Sequence, residues 1–136
     1  MSNEQSQKIN LGGMADRLTS WRQNLQDNID SSARKAIESH VDSVSGHTFS
    51  DAQKLEDAMN KVRETALQKV EEMQKYEMDS DKIRQAILPS IFNMASPYPE
   101  NSELNAKFSE QQKQVYDSVD SKIVGANTVL FRNMRT

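Results

Sequence analysis

The stretch DAQKLEDAMNKVRETALQKVEEMQKY, residues 51–76, decides the fold. Its apolar residues are Leu55, Met59, Val62, Ala66, Val70, Met73 and Tyr76, separated by steps of three and four. That spacing puts them on one face of an α-helix and comes close to a heptad seam. The remaining positions are dominated by charge, and Asp57–Lys61 and Glu71–Lys75 have the i,i+4 spacing of helical ion pairs. A helix with one narrow apolar stripe is stable only when that stripe packs against another helix. The segment therefore predicts an all-α fold. Ser50 and Gln53 have capping-box spacing, with Thr48 as the alternative cap.

The same pattern extends in both directions. Upstream, Leu18, Trp21, Leu25, Ile29, Ala33, Ile37, Val41 and Val44 form one stripe, which predicts a helix from about Ala15 to Ser45. Gly46 follows it and suits a left-handed residue just past the helix end. The short turn to the next helix makes the two antiparallel neighbours. Residues 1–13 are polar, close with Gly12-Gly13, and are expected to form a flexible tail before a single helical domain over residues 14–136. Trp21 is expected in the core, with an interface anchor as the alternative.

Downstream, Asp79-Ser80-Asp81 reads as a break and a new cap. A third, shorter helix carries Ile83, Ile87, Leu88, Ile91, Phe92 and Met94, and its apolar residues are not confined to one stripe. Pro89 lies inside it, where a missing donor and a steric clash predict a kink or a split. Pro97 and Pro99 then impose a loop. A fourth helix starts at Asn101 or Ser102, with Leu104, Phe108, Val115, Val119, Ile123, Ala126, Leu130 and Met134 as its stripe, interrupted at Gln111 and Gln112. The expected architecture is an elongated helical bundle of two αα-hairpins, with the third helix kinked or split at Pro89.

Composition agrees with this and narrows the function. Gly (4) and Pro (3) are scarce, so a chain of many short strands has too little turn chemistry. Net charge is −3 with both signs interleaved, and no basic stripe of the kind that phosphate neutralisation requires is present, which argues against nucleic acid. The longest apolar run, near Ala86–Phe92, falls far short of a bilayer span of about 20 residues. The chain has no Cys, so disulfides, thiolate metal sites and cysteine nucleophiles are excluded. The first residues lack a basic-then-apolar signal pattern, so the expected location is the cytoplasm, or outside the cell without a cleavable signal.

No catalytic constellation emerges. His40 and His47 are the only histidines, seven residues apart with Gly46 between them, and Glu-x-x-His does not occur. A metal carrier or helical-bundle enzyme built on these histidines with Glu38 and Asp42 is the weakest reading. The carboxylates lie on polar helix faces, without an apolar pocket to separate their pKa values. No Gly-x-Ser-x-Gly elbow or phosphate-cradling loop is present. No cofactor is expected. The reading that follows is a non-enzymatic helical protein that binds protein partners, or copies of itself as a homo-oligomer, through apolar helix faces. Ile87, Leu88, Ile91, Phe92, Phe108, Val115, Val119, Ile123 and Leu130 are the candidate docking residues. The alternative is a monomeric helical inhibitor or effector that docks on one protein target.

Asn101, Leu104, Phe108, Tyr116, Asn127-Thr128-Val129 and the closing Asn133-Met134-Arg135 lie along one long amphipathic helix after a Pro-rich turn. In this the C-terminal part resembles type III secretion needle-type subunits, although Ser102 stands where that family favours Pro and the first 80 or so residues have no counterpart. The resemblance implies a secreted subunit that packs its terminal helix into a helical assembly, and hence a component or substrate of a bacterial secretion system.

Overall fold

A computed structural model describes the backbone of residues 3–135 and the side chains of residues 13–125. It is all-α: α1 (Asn3–Ser45), α2 (Ala52–Lys75), α3 (Ser80–Phe92) and α4 (Glu103–Arg135). No strand occurs among the described residues. The backbone of α1 already runs from Asn3, across the segment read as a polar tail.

Each stripe becomes one wall of a common core. Leu55, Met59, Val62, Ala66, Val70 and Met73 are the buried residues of α2, as its seam requires. Facing them are Ile29, Ala33, Ile37, Val41 and Val44 of α1, Ile83, Ala86, Ile87, Leu88 and Ile91 of α3, and Phe108, Val115, Val119 and Ile123 of α4. Met78, Met94 and Tyr98 close the core from the connecting loops. No polar or charged residue is buried among the described residues.

The helices stand at the corners of a square. α1 packs on α2 and α3, and α4 packs on α2 and α3. α1 and α4 occupy opposite corners, and among the described residues their backbones do not come within 8 Å. Side-chain pairs fix the directions. Gln26 of α1 reaches the Tyr76 carbonyl at the end of α2 (3.1 Å), so α1 and α2 are antiparallel. Arg84 pairs with Asp120 at 3.0 Å, and Gln112 reaches the Ile91 and Phe92 carbonyls, both at 2.9 Å, so α3 and α4 are antiparallel. Lys122 of α4 contacts Glu71 near the end of α2 at 3.0 Å, so those two run parallel.

Several local readings need correction. The N-cap of α2 is Asp51, whose carboxylate accepts the Lys54 amide at 2.8 Å, rather than Ser50 or Thr48. Glu71 bridges to Lys122 of α4 instead of Lys75, and Asp57 accepts from Gln53 instead of pairing with Lys61. Gly46 does not take a left-handed conformation. Its lack of a side chain matters for another reason, since a Cβ there would lie 2.9 Å from the Asp42 carbonyl oxygen. The left-handed residue is Glu77, φ 57°. Its amide donates to the Gln74 carbonyl (3.0 Å) and the Met78 amide to the Met73 carbonyl (3.1 Å), the paired bonds of a Schellman helix end. Pro89 lies inside α3 rather than between two helices. Ser102 caps α4, its hydroxyl accepting the Asn105 amide at 3.2 Å.

Candidate functional site: the unpaired face of α1

At 1.5 Å per residue, α1 is about 64 Å long and α2 about 36 Å. The two start level at the Gly46 turn, so α2 runs out first. Its end is latched to α1 by the Arg22–Glu77 ion pair and by Gln26 on the Tyr76 carbonyl. Beyond Arg22, toward the N-terminus, α1 outruns α2.

Its apolar stripe nevertheless continues there. Met14 is 58% exposed, Leu18 64% and Trp21 65%, at i, i+4 and i+7 on one face. Leu25 is partly buried against the core and joins this face to the interior stripe. Leu18, Trp21, Leu25 and Tyr76, with the polar side chains of Arg22, Gln26, Lys75 and Glu77, line a cavity of about 360 Å³ between α1 and the end of α2. The core expectation for Trp21 and Leu18 is thereby corrected: the pattern is right for burial, but the covering helix ends too soon.

A second apolar feature lies on the flank formed by α3 and α4. Phe92 is 70% exposed and meets Tyr116 edge to face, with ring centroids 6.1 Å apart. Hollows of about 420 and 390 Å³ lie on either side of this pair.

Of the nine docking residues expected from sequence, Ile87, Leu88, Ile91, Phe108, Val115, Val119 and Ile123 lie in the chain's own core. They have no surface to offer a partner, because α2 and the facing α3–α4 pair already cover them. An Ile91→Ser change would unfold the bundle rather than test docking. Phe92 alone of that set is exposed, and the side chain of Leu130 lies outside the described residues.

The histidines take no part in a polar cluster. His47 stacks edge to face on Phe49, with centroids 4.5 Å apart. Among the described residues no group of three or more His, Asp or Glu side chains could hold a metal ion, and no helix is long and apolar enough to cross a membrane. No family model, curated protein or solved structure matches the chain.

Proposed function

We propose that the chain is a non-enzymatic interaction or assembly protein that docks a protein helix on the α1 face made by Met14, Leu18 and Trp21. The observation that carries this is the exposure of those three side chains at helical spacing, on a helix that outruns its neighbour. Each contributes about 1.5–3 kcal/mol when fully covered. Tryptophan is among the residues that most often anchor such contacts. The partner supplies an amphipathic helix that takes up the position α2 vacates.

Within this reading the bundle is an elongated pair of αα-hairpins, α1–α2 and α3–α4, with α3 bent at Pro89. The needle-type resemblance of the α4 sequence supports placing the protein in, or as a substrate of, a bacterial secretion system, in the cytoplasm or exported without a cleavable signal. The Phe92–Tyr116 ridge favours a second reading, a monomeric inhibitor or effector that docks through the rigid α3–α4 flank.

Photo-crosslinking in the expressing cell separates the two. A photoreactive residue replacing Leu18 gives a discrete protein adduct, whereas one replacing the exposed Glu64 gives none. Adducts at Phe92 with none at Leu18 would establish the second reading. Equal labelling at Leu18 and Glu64 would refute the first.

A further inference from the structure

The α1–α2 turn closes the end of the bundle remote from Trp21, and it brings together four basic side chains that are scattered in the sequence. His40 of α1 and His47 just past its end are seven residues apart, as are Lys54 and Lys61 of α2. Seven residues make two helical turns, so each pair keeps to one side of the hairpin with about 10 Å between its members. The antiparallel register that sets Gln26 beside the Tyr76 carbonyl sets His40 level with Lys61 and His47 level with Lys54. All four line one groove of about 560 Å³ between the two helices, a volume suited to a small molecule. Neither helix carries a basic run of its own, and only the hairpin assembles this array.

The groove is positive in a chain whose formal net charge is −3. Among its lining residues Asp57 is the one acid, and it accepts the Gln53 side-chain amide at 3.0 Å. Lys54 and Lys61 form no ion pair among the described residues, although Asp57 is three residues from one and four from the other. His47 meets the Phe49 ring edge to face, and neither histidine side chain has a hydrogen bond among the described residues. The four basic groups are thus not bonded to one another or to an acid, and they share only the space between the helices. The floor of that space is apolar: Val44 is buried, and Phe49 and Ala58 are half-buried against the core. The Tyr98 hydroxyl bonds to both the amide and the carbonyl of Phe49, which fixes this floor in place.

We propose that the groove binds a small organic polyphosphate, with its flat body on Phe49 and its phosphates between the two lysines. Three features select that class. Cationic levels about 10 Å apart call for negative charge on more than one group of the ligand. Lysine ammonium is a point charge with three donors that takes phosphate oxygens from several directions, whereas arginine matches a planar carboxylate, and no arginine lines the groove. The apolar floor covers an organic body, which a bare polyphosphate lacks. A metal cation does not fit, since among the described residues no three His, Asp or Glu side chains come together. Protonated, the histidines add two further positive charges to the groove, where Lys54, Lys61 and Asp57 are the charged groups that face them. Histidine takes up its charge as pH falls below neutral, so acidification strengthens the hold on an anion.

Isothermal titration calorimetry of the full chain with ATP, free of divalent metal and at about 50 mM salt, tests this. The expected result is a single site with a dissociation constant below about 100 µM, weakening as salt is raised. Adenosine, the body without the charge, does not bind, and tripolyphosphate, the charge without the body, binds at least about 5-fold more weakly than ATP. Lys54→Gln with Lys61→Gln raises the constant at least about 10-fold. Both side chains are exposed, so the circular dichroism of that variant does not change. Lys35→Gln with Lys107→Gln makes the same change of net charge outside the groove and raises the constant less than about 2-fold. Binding is tighter at about pH 6 than at about pH 8, and His40→Gln with His47→Gln removes that difference. Absence of ATP binding, equal affinities in the two lysine variants, tripolyphosphate that binds as tightly as ATP, or a pH difference that survives loss of both histidines each overturns the proposal. Retention on anionic phospholipid vesicles without ATP binding also overturns it, and assigns the basic array to a membrane surface.

Discussion

Tyr98→Phe removes one oxygen from the end of the bundle opposite the overhang of α1, and its cost follows from two bonds. The Tyr98 hydroxyl accepts the Phe49 amide at 2.9 Å and donates to the Phe49 carbonyl at 3.0 Å. It thereby ties the α1–α2 turn to the α3–α4 loop with a single atom. Tyr98 is buried and its ring meets Phe108 edge to face at 6.5 Å, so the ring stays in place when the oxygen is lost. The Phe49 amide and carbonyl are then left without their partner in a half-buried site. At about 0.5–1.5 kcal/mol for each bond, the loss is about 1–3 kcal/mol. With a urea m-value of about 2 kcal/mol/M, the unfolding midpoint falls by about 0.5–1.5 M. The assay is urea titration followed by circular dichroism. Tyr76→Phe is the control, because that ring is 39% exposed, and its midpoint moves by less than about 0.25 M. Equal shifts in the two variants, or no shift in Tyr98→Phe, would show that the two loops are not joined this way.

Three further outcomes follow from single sites. Gln112 donates to the Ile91, Phe92 and Met94 carbonyls at 2.9, 2.9 and 3.1 Å, capping α3 from α4, so Gln112→Ala lowers stability by about 1–2 kcal/mol in the same titration while Gln111→Ala is nearly neutral. A Cβ at Gly125 meets nothing within 4 Å, so Gly125→Ala stabilises by about 0.5–1 kcal/mol, whereas Gly46→Ala drives a Cβ against the Asp42 carbonyl and lowers the melting temperature. Glu77→Gly relieves the left-handed strain and raises the melting temperature by a few degrees, about 0.5 kcal/mol after loss of an Arg22 pair whose partners are both largely exposed. Glu77→Val, branched at the same position, lowers it.

The helices were legible because their stripes are regular. The α2 seam from Leu55 to Met73 is buried residue for residue, and α1 ends at Ser45 where its stripe ends. The site was not legible, since periodicity shows which face of a helix is apolar and not whether another helix covers it. Trp21 and Ile37 carry the same pattern signal, yet one is 65% exposed and the other fully buried, because α2 stops opposite Arg22. The polar residues and Gly12-Gly13 at the start have weak helix propensity, which hid the length by which α1 outruns α2. Phe92 and Ile91 are adjacent in sequence and face opposite ways, so the apolar run around Pro89 does not separate core from surface. Gln112, which interrupts the α4 stripe, does so to reach the end of α3, a contact between helices that spacing along one helix does not contain. Glu77 in a left-handed helix end likewise has no local signal, since Gly is the residue that normally marks such a position.

Trp21 is the chain's single tryptophan, so its fluorescence reports on the docking face alone. Acrylamide quenching of that emission, measured on the intact chain at a dilution where sedimentation shows a monomer, tests the central claim most directly. An uncovered docking face predicts free quenching and red-shifted emission there. A Trp21 already protected and blue-shifted in the monomer would contradict the account.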